Sequence, residues 1–278
     1  MSAGSPTLIG LPYDASSSFL RGAAAAPPVL RLALRSGGGN AFSEELRDLS
    51  AEGALQDMGD LALPESPDAF ALIESALDDL LASGRRPLSL GGDHSVTLPI
   101  VRAVRRVLPS FTLLQIDAHP DLYDEFEGNR LSHACPFARI MEEGLAAHLV
   151  QVGIRAMTAH QRAQADRFNV DVVDMRAWES GVRPSLTGPV YVSIDLDGLD
   201  PAFAPGVSHR EPGGLSVRDV VGLLQGISGP IIGGDIVELN PSQDPLNVTA
   251  AVGAKLIKEL ASGMLRSSQR PGAVRNTL

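Results

Sequence analysis

The chain has 278 residues, 44% of them hydrophobic, which is enough for the core of one large α/β domain. Its formal net charge of −10 and its lack of a Lys/Arg run exclude the basic surface typical of nucleic-acid-binding proteins. No apolar run approaches about 18 residues and no signal pattern is seen, so we expect neither a membrane span nor a secretory leader. A single cysteine, Cys135, excludes an intrachain disulfide and favours a reducing, cytoplasmic environment.

Strand-like apolar runs alternate with helical patterns along the chain. The runs are continuously apolar, which indicates strands buried on both faces, and this alternation predicts a largely parallel sheet with helices on both faces. No linker divides the chain, so we expect one domain over residues 1–266 and a polar C-terminal tail over 267–278. In chain order, the predicted elements are a strand at 7–11, helices at 23–34 and 67–81, a strand at 87–90, a helix at 95–107, a strand at 111–116, a helix at 135–145, a strand at 149–152, a helix at 160–168, strands at 170–173 and 190–194, a helix at 217–224, a strand at 230–232 continued at 236–237, and a helix at 248–260.

Acidic and imidazole side chains are concentrated in three segments that each follow a predicted strand: residues 91–95 (GGDHS), 117–121 (DAHPD) and 195–197 (DLD). Ligands bind beyond the carboxyl ends of parallel strands, so we expect these segments to meet at one edge of the sheet. Four carboxylates gathered there would repel one another unless cations neutralised them. The candidate metal ligands are His94, Asp117, His119, Asp121, Asp195 and Asp197. A lone acid at a strand end is more often a cap or turn residue, and that interpretation stays open for Asp93.

This ligand set predicts a particular kind of cation and chemistry. Mixed oxygen and nitrogen ligands without thiolate suit Mn²⁺, with Zn²⁺, Fe²⁺ and Co²⁺ as alternatives. Two such ions about 3.5–4 Å apart can share a water and lower its pKa toward roughly 7. The pattern therefore predicts a hydrolase with an activated water as its nucleophile.

Together with longer blocks, these motifs resemble the ureohydrolase (arginase/agmatinase) family. The blocks are residues 12–27 (PYDASSSFLRGAAAAP), 132–144 (SHACPFARIMEEG), 193–216 (SIDLDGLDPAFAPGVSHREPGGLS) and 235–241 (DIVELNP), so the resemblance covers nearly the whole chain. The sequences of these blocks most resemble those of the agmatinase-like branch, which includes the plant arginases. The resemblance implies a three-layer α/β fold, two Mn²⁺ ions per subunit, a homo-oligomer (trimer or hexamer), and hydrolysis of a small guanidino substrate to urea and an amine.

The resemblance also implies roles for single residues. One ion would be held by His94, Asp117, Asp121 and Asp195, and the other by Asp117, His119, Asp195 and Asp197. Asp121 would carry a proton from the attacking hydroxide to the leaving amine, His133 would shuttle protons, and Glu238 would bind the guanidinium. We further expect Asn129 and His209 to contact the substrate. The loop at 14–22 either closes the site or makes a subunit contact.

The substrate prediction depends on residues 122–131 (LYDEFEGNRL), which follow the second motif. An acidic rim there would favour a substrate that carries only positive charge, so agmatine, giving putrescine, is the first expectation. Asn129 and Arg130 could instead meet a carboxylate, which leaves arginine and guanidinobutyrate open. The acids of this segment are Asp124, Glu125 and Glu127.

Three other classes of protein are less consistent with the motifs. A metallophosphoesterase would need the motifs in another order and a later Gly-Asn-His segment. A cysteine hydrolase would use Cys135 beside His133, with a lowered thiol pKa. A metal-stabilised scaffold would have no need of His133 and Glu238, neither of which is expected to bind metal.

Overall fold

A central sheet of eight strands organises the protein, for which a computed structural model describes residues 4–267. The strands are β1 (Pro6–Gly10), β2 (Gln56–Asp60), β3 (Arg86–Leu90), β4 (Thr112–Ile116), β5 (His148–Ile154), β6 (Asp171–Asp174), β7 (Val190–Asp195) and β8 (Ile231–Val237). Their order across the sheet is β2-β1-β3-β8-β7-β4-β5-β6. Every neighbouring pair is parallel. The expected parallel α/β sheet is confirmed, and within the described residues it is parallel throughout.

Within the described residues, eight α-helices cover the two faces of this sheet. They are α1 (Ala26–Leu34), α2 (Asp68–Ala82), α3 (Thr97–Val107), α4 (Pro136–Glu142), α5 (Ala159–Arg167), α6 (Met175–Glu179), α7 (Val217–Gly226) and α8 (Val248–Ser267). Helices α2 to α5 pack over one face, and α1, α6, α7 and α8 pack over the other. Because side chains alternate along a strand, Leu113 packs in the core beneath α2 to α5, and Leu114 packs in the core on the opposite face. The expected three-layer arginase-like architecture is therefore present.

Two elements had no counterpart in the prediction. Strand β2 has the polar sequence QDMGD, is largely exposed and lies at the edge of the sheet, so it lacks the apolar run of the buried strands. Arg31 of α1 secures this edge, because its guanidinium donates to Asp57, to Asp60 and to the Gly59 carbonyl. Helix α6 is only five residues long, which is too short for a periodic pattern.

The ends of other elements differ from prediction by a few residues. Helix α4 ends at Glu142, three residues before the predicted boundary. Helix α8 continues seven residues beyond Leu260, through Ser267, the first residue of the predicted polar tail. The rest of that tail, 268–278, lies outside the described residues. No helix between residues 4 and 267 is both long and apolar enough to cross a membrane.

Candidate metal centre

The carboxyl ends of four consecutive strands, β3, β8, β7 and β4, bring the predicted ligands to one edge of the sheet. Strand β4 leads directly into Asp117, and β7 ends at Asp195. Strand β3 is followed by the turn that carries His94, and β8 by Glu238. These side chains lie together because parallel strands share one carboxyl-terminal edge.

Two groups of ligands meet at Asp117. In the first, the ligand atoms of His94, Asp117 and Asp195 all lie within 4.8 Å of one another. In the second, Asp117 is joined by His119 and Asp197 within the same limit. Asp117 is fully buried and is the member common to both groups, as expected of a carboxylate that bridges two cations.

The Nδ1 atom of His94 lies at the centre of the first group. It is 3.1 Å from Asp117 Oδ2, 3.1 Å from Asp121 Oδ2 and 3.2 Å from Asp195 Oδ2. Asp121 therefore joins this group, as predicted. In the second group, His119 Nδ1 is 3.0 Å from Asp197 Oδ2. All six predicted metal ligands thus lie in one cluster.

A chain of buried hydrogen bonds sets the orientation of the His94 ring. Three hydroxyls donate to the Asp235 carboxylate: Tyr191 at 2.8 Å, Ser193 at 2.6 Å and Thr97 at 3.2 Å. Because Ser193 donates to Asp235, its oxygen accepts the Nε2–H of His94, at 2.9 Å. The electron pair of Nδ1 then faces the carboxylates.

This geometry fits a divalent cation. His94 Nδ1 is buried and has no hydrogen-bond partner among residues 4–267, although three carboxylate oxygens surround it. An unprotonated nitrogen and several carboxylates gathered in one buried place are unfavourable until a cation neutralises them. Three carboxylate oxygens and one imidazole nitrogen form a donor set that suits Mn²⁺ and related ions.

The pKa values of the clustered side chains also indicate a cation site. Burial raises the pKa of Asp121 to about 7, and the charge of Asp117 adds to this. Burial and the neighbouring Asp197 raise the pKa of Asp195 well above its ordinary value. Burial opposes the charged form of His94, yet the carboxylates around it raise its pKa well above the ordinary value. Without a cation, protons are drawn into the cluster to balance its negative charge.

Two acidic residues of the centre adopt left-handed backbone. Asp121 has φ 50° and Glu238 has φ 65°. This conformation is uncommon for residues other than glycine and is often found at functional sites. It directs Asp121 toward His94 Nδ1 and Glu238 toward the first turn after β3.

Glu238 and His133 form a buried pair beside the metal ligands. Glu238 Oε1 accepts from the backbone N–H of His94 at 2.9 Å and lies 2.9 Å from His133 Nδ1. His133 Nε2 accepts from the backbone N–H of Ser18 at 3.2 Å and lies 2.9 Å from its hydroxyl. Because the Ser18 N–H needs a free electron pair on Nε2, the neutral ring carries its proton on Nδ1, directed at Glu238.

The charge state of His133 depends on opposing effects. Burial disfavours the cation, but the hydrogen bond and charge of Glu238 outweigh burial and raise the pKa of His133 to about 9. The Ser18 N–H acts against this rise, since protonation of Nε2 would break its hydrogen bond.

The loop at 14–22, whose role the sequence left open, packs onto His133 within the same chain. Asp93 Oδ2 accepts from the Ser16 N–H at 3.0 Å and from the Ser17 hydroxyl at 3.3 Å. The Ser16 carbonyl in turn accepts from the His133 N–H at 3.1 Å. Asp93 also caps the turn that begins at His94, so it acts as a cap and anchor residue next to the ligands.

A cavity of about 180 Å³ opens onto this centre. His209 lies on its wall, with its ring centroid 5.8 Å from that of His119 and 5.2 Å from that of His133. Asn129, the other predicted substrate contact, is exposed and outside the wall, and its Oδ1 accepts from the Leu131 N–H at 2.9 Å. The described residues that line the cavity are Ser18, His119, Asp121, Tyr123, Phe126, His133, Ala134, Ala156, Gln161, Asp195, Asp197, His209 and Glu238.

The segment at 122–131 contributes aromatic rings to this wall. Tyr123 and Phe126 line the cavity, whereas none of the segment's acids does. Asp124 instead accepts from the Gln164 amide of α5 at 2.6 Å. The acidic rim on which the agmatine prediction rested is therefore absent from the described cavity wall.

Cys135 has the properties of a packing residue. Its side chain is fully buried and lies outside the cavity wall, with Sγ 3.7 Å from the Asn129 carbonyl. Burial raises the pKa of this thiol to about 12, so the thiolate needed by a cysteine hydrolase does not form at neutral pH.

Several residues that support the centre escaped the sequence prediction. Gln115 donates from Nε2 to Asp117 Oδ2 at 2.7 Å, and Ser193 and Asp235 orient His94. All three are polar residues inside buried strands, and that is the signal that could have revealed them. Ser18 and Gln161 lie in loop or helix-start positions, where polar residues are ordinary.

Comparison with known proteins identifies the family. The arginase family model matches residues 5–263. Arginase 1, mitochondrial, of Arabidopsis thaliana is 45% identical over 276 residues, which cover 93% of this chain and 80% of that relative. N(1)-aminopropylagmatine ureohydrolase of Thermus thermophilus is 38% identical over 260 residues, covering 88% of this chain and 86% of that one. The solved structure of arginase from Medicago truncatula has a TM-score of 0.90 at 43% identity, covering 94% of this chain and 88% of that chain. The chain belongs to the arginase family and is a hydrolase acting on guanidino C–N bonds.

Proposed function

We propose that this protein hydrolyses L-arginine to L-ornithine and urea, with two Mn²⁺ ions held by the six-residue ligand cluster. The observation that carries the choice of substrate is the similarity to plant arginases, which at 45% identity exceeds that to the aminopropylagmatine ureohydrolase at 38%. The proposal replaces agmatine as the first expectation, because the acids that favoured agmatine lie outside the cavity wall.

The two ligand groups would hold the cations through His94, Asp117, Asp121 and Asp195 on one side and through Asp117, His119, Asp195 and Asp197 on the other. Ions bound there would supply an activated water as the nucleophile for hydrolysis of a guanidinium group. The carboxylates of the cluster keep the site negative enough to hold both ions beside a cationic substrate.

Glu238 would bind the guanidinium. Its Oε1 already accepts from the His94 N–H and from His133, while Oε2 accepts no hydrogen bond from any described residue. Oε2 is therefore available for a charge-assisted hydrogen bond from a planar substrate cation. Glu238 lines the cavity together with several of the predicted metal ligands.

Asp121 and His133 would move the protons. Asp121 lies on the cavity wall and contacts His94 Nδ1, so it is placed to accept a proton from the nucleophile and return it to the leaving amine. His133 also lines the cavity, and its hydrogen bonds to Ser18 and Glu238 fix its ring while its proton is exchanged.

Agmatine remains the second candidate, because one observation favours it. No Lys or Arg is among the described residues that line the cavity, so neither kind of side chain is available to bind an α-carboxylate. Guanidinobutyrate, which also carries a carboxylate, is the corresponding alternative among the guanidino acids.

Urea release from four compounds tests the proposal. The metal-loaded protein would be assayed with L-arginine, agmatine, guanidinobutyrate and guanidine, with added Mn²⁺ and with a chelator. We expect the highest kcat/KM with L-arginine and loss of turnover with the chelator. No urea from any compound would refute the proposed hydrolysis, whereas a higher kcat/KM for agmatine would favour the second candidate.

Metal identity, oligomeric state and location are separate predictions. Elemental analysis of protein purified without added metal tests whether Mn²⁺ is bound. Light scattering tests the trimer or hexamer expected from the family resemblance, and fractionation of the source cells tests the cytoplasmic location.

A further inference from the structure

Gln161 is the one residue of the first turn of α5 that reaches the wall of the catalytic cavity. Only 3% of its surface is exposed. It contacts none of the metal ligands through a hydrogen bond and has no part in the proton transfers described above. A polar side chain that is buried at such a position normally has hydrogen-bond partners for its amide.

The oxygen of the Gln161 amide takes part in capping α5. Gln161 Oε1 accepts from the Thr158 N–H at 3.0 Å and from the Thr158 hydroxyl at 3.1 Å. The Gln161 N–H donates back to Thr158 Oγ1 at 3.3 Å, which completes a capping box. Because a backbone N–H can only donate, the atom that it contacts is the amide oxygen, and this sets the orientation of the whole amide.

The other half of the amide is available to a ligand. Gln161 Nε2 donates no hydrogen bond to any residue between 4 and 267, and it is not among the side-chain atoms that are both fully buried and unpartnered. The two N–H donors of a residue that lines the cavity are thus held in a fixed direction. A donor that is held rigidly in this way loses little entropy when it binds an acceptor.

The charges of the cavity indicate which acceptor this donor suits. The wall is acidic at the ligand cluster and at Glu238, aromatic at Tyr123 and Phe126, and without Lys or Arg. Once the guanidinium occupies the acidic region, a carboxylate at the other end of the substrate finds no Lys or Arg to bind it. The amide of Gln161 supplies two N–H groups at the start of a helix, where the dipole also favours negative charge.

We propose that Gln161 is a specificity-determining residue that selects guanidino substrates bearing a carboxylate by donating to that carboxylate from Nε2. The inference rests on the proposed hydrolysis of arginine and names the residue that distinguishes arginine from agmatine. It accounts for carboxylate binding in a cavity wall whose described residues include no Lys or Arg.

The substitution Gln161→Glu tests this role by replacing the donor with a group that repels a carboxylate. A capping box accepts Glu as readily as Gln at this position, so the variant keeps the hydrogen bonds from Thr158. What changes is the other half of the side chain, where a negatively charged carboxylate oxygen replaces the Nε2 donor. We expect kcat/KM for L-arginine to fall about 10- to 100-fold, as for loss of a charge-assisted hydrogen bond. The value for agmatine, which has an ammonium but no carboxylate, should stay equal or rise.

Gln164→Ala is the matched control. Gln164 is a second buried glutamine of α5, but its amide donates to Asp124 and it is outside the cavity wall. This variant should leave the ratio of kcat/KM for L-arginine to that for agmatine unchanged. An equal loss for both substrates in Gln161→Glu would indicate a structural role and overturn the inference.

Binding measurements separate this inference from the proposed reaction. The affinities of the metal-loaded wild type and of Gln161→Glu for L-arginine and agmatine would be measured by titration calorimetry. If the wild type releases no urea, the proposed function fails, yet a selective loss of L-arginine affinity in the variant still supports the role of Gln161. An unchanged ratio of the two affinities overturns that role, whatever the turnover.

Discussion

Replacing Ser193 with alanine should weaken metal binding at a ligand that the substitution does not touch. The Ser193 hydroxyl accepts the His94 Nε2–H at 2.9 Å and donates to Asp235 at 2.6 Å. Without it, the ring loses the partner that keeps its proton on Nε2. The alternative tautomer carries the proton on Nδ1, the atom that faces the carboxylates, and cannot bind a cation there.

The expected loss follows from the chemistry of this contact. Removing the hydrogen-bond partner of a metal-binding histidine typically lowers metal affinity about 10- to 100-fold, or roughly 1.4–2.8 kcal/mol. His94, Ser193 and Asp235 are all fully buried, so water does not replace the lost hydroxyl. The substitution also leaves the buried His94 Nε2–H without its partner. This should lower the free energy of unfolding of the protein, measured without metal, by about 1–3 kcal/mol.

Two measurements separate these effects. Mn²⁺ affinity would be determined by competition with a chelator, and the free energy of unfolding from urea denaturation without metal. Thr97→Val is the control, because Thr97 also donates to Asp235, at 3.2 Å, but makes no contact with His94 through its hydroxyl. If Ser193→Ala binds Mn²⁺ as tightly as Thr97→Val, then the hydroxyl does not orient His94 and the reasoning is wrong.

Three further predictions address the proton carrier, the thiol and the pH dependence of stability. Asp121→Asn should lower kcat for urea release by about 10²–10⁴-fold, since the amide accepts no proton, and substantial retained turnover would contradict that role. Cys135→Ala should keep its metal-dependent urea release, and a complete loss in a folded, metal-loaded variant would restore the cysteine mechanism. Hydrogen bonds from Arg218 and Lys255 lower the pKa of Glu44 from 4.5 to about 2. The stabilisation by the ionised Glu44 is present above pH 4.5 and is lost as pH falls toward 2. The free energy of unfolding from urea denaturation should therefore fall less over this pH range for Glu44→Gln than for wild type.

The strands that carry the site could be predicted because they are buried on both faces. Strands β4 and β7 have mostly apolar sequences, of which the first leads into Asp117 and the second ends at Asp195, and both the strands and the placement of their ligands follow from that pattern. Strand β2 lacks the pattern because it is an exposed edge strand, held by Arg31 rather than by apolar packing. Burial therefore decides which strands the sequence reveals.

The supporting hydrogen bonds were not predictable in the same way. Ser193 and His94 are separated by 99 residues, and Ser193 and Asp235 by 42. Polar residues inside buried strands indicate that partners exist, but the identity of each partner depends on the order of strands in the sheet. Strands β7 and β8 are neighbours although α7 separates them in the chain, and that adjacency brings Ser193 beside Asp235.

The choice of substrate depends on a still less predictable property, the direction of loop side chains. The sequence of 122–131 is acidic, yet its aromatic residues line the cavity while Asp124 turns to Gln164 of α5. Gln161 lines the same cavity with an amide that Thr158 orients, and a count of charged residues does not reveal that contact. Metal ligands are revealed by residue type at strand ends, since the cations require those types. Specificity depends on which atom of a side chain faces the cavity, so the geometry of α5 argues for a carboxylate where the composition of the loop argues against one.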